Sequence, residues 1–510
     1  MALGRTFAMG LIGLVGHVVE VEAHLASSLP AFVLVGLPDA SLAEARDRVR
    51  AAIGSTGLTW PNRRITVNLS PAALPKSGPA FDVAVAISVL AAAELLDPGR
   101  AARAVHLGKL GLDGRLRPVR GVLPAVAAAV AAGHRDVVVP ESNVAEARLV
   151  PGARVVGGRT LAEIAHRYGA SVDVPDVAVA AVNRTGTSTQ PAVTDLADVL
   201  GQEEVRHALE VAAAGGHHLL LVGPPGAGKT MLASRLPGLL PDLTEAEAIE
   251  VTAVHSIAGT FDPERGLLRR PPFEDPHHTA TPASIVGGGS GTPRPGAASR
   301  AHRGVLLMDE APEFPAGVLQ TLRQPLEHGE LVIHRAAGAA RYPARFQLVL
   351  AANPCLCGRA VGKGLACTCS SVVRRRYFGK ISGPLLDRVD VQVEVPAVRR
   401  AALLGVGEST AVVAARVAEA RAAQTARWEG TSWRANAEVP GRVLRDRLGP
   451  DPELLARVDD AVDDGRFTLR GADRVLRLAW TVADLGGRTA PTRTDVGQAL
   501  ALRTRGQAGT

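Results

Sequence analysis

The stretch Gly223-Pro224-Pro225-Gly226-Ala227-Gly228-Lys229-Thr230 sets an amine and a hydroxyl side by side after a glycine-rich turn. It follows the apolar run His217–Val222 and precedes Met231-Leu232-Ala233, which reads as the start of a helix. G-x-x-x-x-G-K-T between a strand and a helix is the form of a phosphate-binding loop. Glycines let backbone N–H groups approach phosphate oxygens, and the first helical turn adds a favourable field. Lys229 is placed to reach the β- and γ-oxygens of ATP and Thr230 to ligate Mg²⁺, with Gly223 through Met231 enclosing the nucleotide.

Two further strand ends carry matching chemistry. Val305-Leu306-Leu307-Met308 is an apolar strand running into Asp309-Glu310. Asp309 is expected in the Mg²⁺ shell, and Glu310 is expected to orient or deprotonate the attacking water. Phe346–Ala352 is a third apolar strand that delivers Asn353 at its carboxyl end, where open α/β sheets bind ligands. Asn353 can sense the γ-phosphate there, or it can simply begin the Asn-Pro turn.

The chain's 4 cysteines all follow Asn353, as Cys355-x-Cys357, nine intervening residues, then Cys367-x-Cys369. Four thiolates suffice for a tetrahedral structural Zn²⁺ and would leave no open position for catalysis. A reduced, metal-free loop is the alternative, because Cys-x-Cys is tighter than the usual Cys-x₂-Cys. His277-His278 also raises a metal reading. Adjacent histidines tend to point apart and no carboxylate spacing supports a site, so a structural or inter-subunit role is expected.

Positioning these groups requires at least one parallel α/β domain, and 510 residues allow two to four domains. Residues 1–170 alternate strands (Ala31–Val35, Arg64–Asn68, Asp136–Val139) with helices (Leu42–Ile53, Phe81–Leu95, Leu123–Ala132), a compact α/β or α+β unit. Residues 171–195 lose periodicity and fill with Thr, Ser, Asn and Gly, as a linker does. Residues 196–395 form the nucleotide-binding α/β core, and 396–510 read as mostly helical.

Hydrophobic residues at 46% and charged residues at 21% are globular proportions, with a core built from Ala, Val and Leu because aromatics are only 3%. The formal charge of +7 permits an acidic partner such as nucleic acid without demanding one. Four cysteines in one cluster exclude a secreted disulfide framework and favour a reducing, cytoplasmic setting. The apolar run after Arg5 is broken by Gly10, Gly13 and Gly16 and turns into alternation at Val19–Glu22, so a first strand is expected rather than a leader. The richest later run, Ala125–Ala132, is too short to span a membrane.

The phosphate loop, Asp309-Glu310, Asn353 and the later SGPLLDRVD resemble an AAA+ ATPase of the magnesium-chelatase-like branch. More narrowly, VGLPDASLAEARDRVRAA, RRITVNLSPAALPKSG, DPHHTATPASIVGGG, PRPGAASRAHRGVLLMDE, ISGPLLDRVDVQVEVP and LRGADRVLRLAWTVADL resemble the ComM/YifB family over nearly the whole chain. The fold this implies is multidomain α/β: an S5/Lon-protease-like α+β N-terminal domain, an AAA+ P-loop core with a parallel sheet, and a C-terminal α-helical lid. By the same resemblance Arg388 matches the arginine finger that completes a neighbour's site, Arg470 the sensor-2 arginine, and Gln202 a position beside adenine. A guanidinium stabilises the charge of a phosphoryl-transfer transition state, which gives both arginines a physical role.

Active relatives of the N-terminal domain carry a nucleophilic serine where this chain has Ala80 and a lysine base where it has Leu123. Ser77 stands three residues too early, so proteolysis is not expected, and the domain is assigned to assembly or substrate contact. The family implies a homohexameric, ATP- and Mg²⁺-dependent motor on single-stranded or branched DNA, serving helicase or branch-migration steps in recombination or transformation. A helix insertion toward the central pore would bring Arg294, Arg300 and Arg303 near DNA, although a solvated glycine loop is the plain alternative. A protein-remodelling ATPase and the ATPase subunit of a metal chelatase are competing readings.

Overall fold

The computed structural model describes residues 3–36, 44–72, 74, 79–180, 194–289, 293–335, 338–360, 366–381, 383–397, 407–448, 452–464 and 467–504. The chain begins with an antiparallel hairpin, Leu3–Ile12 against Val15–Ala26, in register from Leu3 opposite His24 to Ile12 opposite Val15. The start therefore holds two strands where the sequence pattern indicated one. Alternation selects the faces: Val19, Val21, Ala23 and Leu25 are buried while the residues between them are not. Their inner face packs on the helix Asp82–Ala92, whose residues are all buried, as expected of a helix that is apolar around its circumference.

Five more strands complete a mixed sheet of seven in the order Ala31–Val35, Arg64–Ser70, Val15–Ala26, Leu3–Ile12, Val105–His106, Asp136–Pro140, Arg154–Gly158. Ala80 and Leu123 both lie in this unit: the Ala80 carbonyl accepts from the Gly108 amide at 3.1 Å and Leu123 donates its amide to Glu146 at 2.9 Å. Ser77 lies outside the described residues. So does most of the sequence read as a linker, whose described parts, 171–180 and 194–195, have no regular secondary structure.

The second sheet is wholly parallel and has five strands in the order Phe273–Glu274, Val305–Met308, Gln347–Ala352, Leu219–Val222, Val391–Glu394. Its three central strands are buried on both faces, which is why they read as continuous apolar runs rather than alternating ones. Helices Thr410–Arg427, Leu469–Leu485 and Arg493–Thr504 share one hydrophobic core with this sheet and with the helix Glu203–Gly215, through Val417, Val475, Leu478, Leu209 and Ala213 among others.

The two sheets meet along the helix Glu245–Ala258, whose Ala253 joins the core of the helix Val122–Ala131. Ser256 Oγ donates to Glu146 at 2.5 Å and Arg120 donates to the Ala258 carbonyl at 3.4 Å across this contact. At the hairpin tip Gly13 has φ +61, and a Cβ there would stand 2.3 Å from the Arg341 carbonyl oxygen. Only glycine suits that approach. Among the described residues, no helix is long and apolar enough to cross a membrane.

Candidate functional site

The carboxyl ends of three adjacent parallel strands bring together the groups that the sequence scatters over 130 residues. Gly223–Thr230 leaves the Leu219–Val222 strand, Asp309-Glu310 ends Val305–Met308, and Asn353 ends Gln347–Ala352. Gly226 and Gly228 hold φ of +78 and +85, conformations that let the loop curl back on itself. The helix Lys229–Ala233 begins directly behind it.

Lys229 Nζ donates to the carbonyls of Gly223 at 2.8 Å and Pro224 at 3.0 Å, and to Asn353 Oδ1 at 3.0 Å. Burial lowers its pKa, against the pull of Asp309 and Glu310. The amine is thus folded into the loop it would leave to meet phosphate. Thr230 Oγ1 donates to Asp309 Oδ2 at 2.5 Å, so the two oxygens expected on one Mg²⁺ already touch. Both are hard oxygen donors of the type that ion prefers, and they fit it. Asp309 Oδ1 accepts the Glu310 amide at 2.9 Å.

Glu310 adopts φ 52, an uncommon value for a side chain with a Cβ, and its carboxylate lies 3.3 Å from His278 Nδ1. His278 follows the strand Phe273–Glu274, the neighbour of Val305–Met308, so the shared strand end accounts for the contact. Sequence reading missed this pairing. The rings of His277 and His278 do not point apart: their centroids are 4.0 Å from each other, with His277 Nδ1 at 2.9 Å from Thr279 Oγ1.

Gln202, in a left-handed conformation, donates Nε2 to the carbonyls of Ala227 at 3.0 Å and Pro396 at 2.9 Å. Its buried Oε1 has no protein partner among the described residues, an acceptor that an exocyclic amine of adenine would satisfy. Ala227 is buried, and Met231 is half-buried against the main core.

Arg388 and Arg470 lie elsewhere. Asp390 and Val391 both donate their amides to the His218 carbonyl at the amino end of Leu219–Val222, the opposite end from the phosphate loop. Arg388 sits just ahead of them, bonded to the Pro384 carbonyl at 2.5 Å and paired with Glu327. Burial and then the guanidinium groups of Arg474, Arg470 and Arg323 lower its pKa, so Arg470 belongs to the same cationic cluster. Arg470 itself is exposed on the first turn of its helix. Arg474 pairs with Asp390 and donates to the Arg388 carbonyl at 3.0 Å. Although burial opposes its ionisation, Asp390 is held well below the ordinary carboxylate range by Arg474, His217 and His218.

Of the arginines considered for nucleic acid, Arg300 pairs with Glu274 at 2.7 Å and Arg303 with Glu247 at 3.3 Å, which engages both. Arg294 is exposed. The four cysteines are free thiols whose sulfurs all lie within 4.8 Å of one another. Cys355 Sγ is 3.3 Å from Cys357 Sγ and 3.6 Å from Cys367 Sγ, and Cys357 is 3.8 Å from Cys367. Zinc–sulfur bonds of about 2.3 Å in a tetrahedron place sulfurs about 3.8 Å apart, so the cluster could hold a metal. Backbone amides of Arg359 and Thr368, with Cys355, lower the Cys357 thiol to about 5.

The family described as magnesium chelatase, subunit ChlI, matches residues 195–403, subunit ChlI of Mg-chelatase matches 21–143, and the ChlI C-terminal family matches 407–503. The chain is 51% identical to the Mycobacterium tuberculosis protein Rv2897c, covering 99% of each chain. It is 38% identical to competence protein ComM of Haemophilus influenzae, over 99% of this chain and 98% of that one. With Escherichia coli YifB the identity is 37%, over 99% and 97%.

Proposed function

The chain belongs to the ComM/YifB family of magnesium-chelatase-like AAA+ proteins, and from that premise we propose that it is an ATP-hydrolysing motor that acts on single-stranded or branched DNA. The observation that carries the hydrolytic part is the convergence of Lys229, Thr230, Asp309, Glu310 and Asn353 at three neighbouring strand ends.

Lys229 exchanges its carbonyl partners for the β- and γ-oxygens, and Asn353, already bonded to that amine, follows the γ-phosphate. Thr230 and Asp309 would hold Mg²⁺, which supplies charge neutralisation across those phosphates. Glu310 accepts the proton of the attacking water or orients it, and Gln202 holds the adenine edge. Arg388 and Arg470, at the far end of the sheet from their own phosphate loop, serve a neighbouring copy, which fits a homohexamer. We assign the cysteine cluster a structural Zn²⁺ in the same reading.

DNA as the substrate is supported by a relative named a competence protein and by a sequence pI of 9.7. The work this implies is unwinding or branch migration in recombination or transformation, carried out in the cytoplasm. The test is displacement of a labelled strand from a forked duplex by the purified protein. Displacement should require ATP and vanish in Lys229→Ala. ATP turnover with no displacement and no salt-sensitive DNA binding would instead favour protein remodelling.

A further inference from the structure

The cysteine cluster does not stand apart from the nucleotide site. Gly358, the residue after Cys357, is buried and holds φ +72, and its amide donates to the Cys355 carbonyl at 2.9 Å to close a tight turn. A Cβ at Gly358 would fall 2.6 Å from Cδ and 2.8 Å from Cγ of Pro225, in the middle of the phosphate loop. The turn between the first two thiols therefore lies flat against that loop, with no room for a side chain between them. Two residues ahead of Cys355, Asn353 reaches the same loop through its 3.0 Å contact with Lys229. Two contacts thus run from one cysteine-bearing segment to one phosphate loop.

We propose that the four cysteines form a metal clip for Zn²⁺ that braces the phosphate loop, so that metal occupancy sets the affinity for nucleotide. The ligands are Cys355 and Cys357 on the turn and Cys367 and Cys369 on the segment leading into the helix Ser371–Phe378. Joining both pairs fixes the turn from two sides, and the turn fixes Pro225. The helix that follows is itself tied back to the site, since the buried Tyr377 meets the backbone of Asn353. A phosphate loop binds through several backbone amides at once, so a shift of one residue in it misaligns the others. Loss of the metal would release the turn, let Pro225 move and weaken ATP binding while every residue of the nucleotide site stays chemically unchanged. This inference rests on the nucleotide site proposed above.

The experiment measures zinc content and the dissociation constant of a fluorescent ATP analogue, in excess Mg²⁺, on the same full-length protein. Samples are the protein as purified, the protein stripped of zinc with a thiol-directed reagent and chelator and then reduced, and the stripped protein after Zn²⁺ is restored. Expected are one zinc per chain and a roughly tenfold weaker affinity after stripping, equivalent to about 1.4 kcal/mol, reversed by Zn²⁺. Gly358→Asn guards against simple unfolding on metal loss: asparagine tolerates the left-handed backbone, so this variant should keep its zinc and still bind ATP more weakly. Absence of zinc from the purified protein, or affinity indifferent to both stripping and Gly358→Asn, overturns the clip. A zinc-loaded protein that binds no ATP overturns the nucleotide site and the clip's role with it.

Discussion

At the scale of single residues, the pairing of His278 with Glu310 is the most consequential contact that spacing along the chain conceals. A general base acts only if its carboxylate is aimed, and the left-handed backbone at Glu310 turns that side chain toward the imidazole 3.3 Å away. His278→Ala should therefore lower kcat by about tenfold with little change in KM for ATP. His278→Asn, which keeps a donor, should recover part of the loss in steady-state kinetics. An unchanged kcat in the alanine variant would show that Glu310 is aimed by something else. Lys229 and Thr230 were legible because a phosphate loop is contiguous, whereas His278 and Glu310 meet only once two strands lie side by side.

At the scale of elements, the junction between the helix Glu245–Ala258 and the N-terminal unit turns on Glu146. Its carboxyl is 7% exposed and accepts from the Leu123 amide and Ser256 Oγ. Burial raises its pKa above the unfolded value in spite of those donors. The group's contribution to stability is then complete below the unfolded carboxyl range and is lost as pH rises through the raised value. Glu146→Gln, which stays neutral at every pH, should melt about 1 °C above the parent at pH 8, the shift that roughly 1 kcal/mol gives in a chain of this length. The difference should close toward pH 4 in paired thermal melts. A variant that melts below the parent at pH 8 would mean that the ionised carboxylate holds the junction.

Elements also show where sequence reading stops. The apolar runs at Leu219–Val222, Val305–Met308 and Gln347–Ala352 were visible because strands buried on both faces have no polar alternation. Their order in the sheet was not, since pairing depends on crossovers that leave no local pattern. Helix ends shifted by one to three residues, the run Phe81–Leu95 forming the helix Asp82–Ala92 and Leu123–Ala132 the helix Val122–Ala131, because apolar periodicity does not mark where a helix stops. The cysteine spacing suggested a metal clip, but the turn at Gly358 pressed on Pro225 appears only in three dimensions.

At the scale of the molecule, Asp390 ties the segment around Arg388 to the helical bundle: Arg474 reaches both its carboxylate and the Arg388 carbonyl, and Arg503 donates to the Val389 carbonyl at 2.7 Å. Arg388 and Arg474, each mostly buried and paired with an acid, thus lie with the exposed Arg470 at the sheet end opposite the phosphate loop. In the proposed homohexamer this placement would make catalysis a property of assembled copies, so that DNA bound to the assembly would govern turnover. The most direct measurement is steady-state ATP hydrolysis by the purified protein with and without forked DNA, beside Arg388→Ala. Turnover should rise several-fold with DNA, fall as salt weakens DNA binding, and drop by about 10³ in Arg388→Ala. Hydrolysis indifferent to DNA at every salt concentration, with Arg388→Ala as active as the parent, would contradict this.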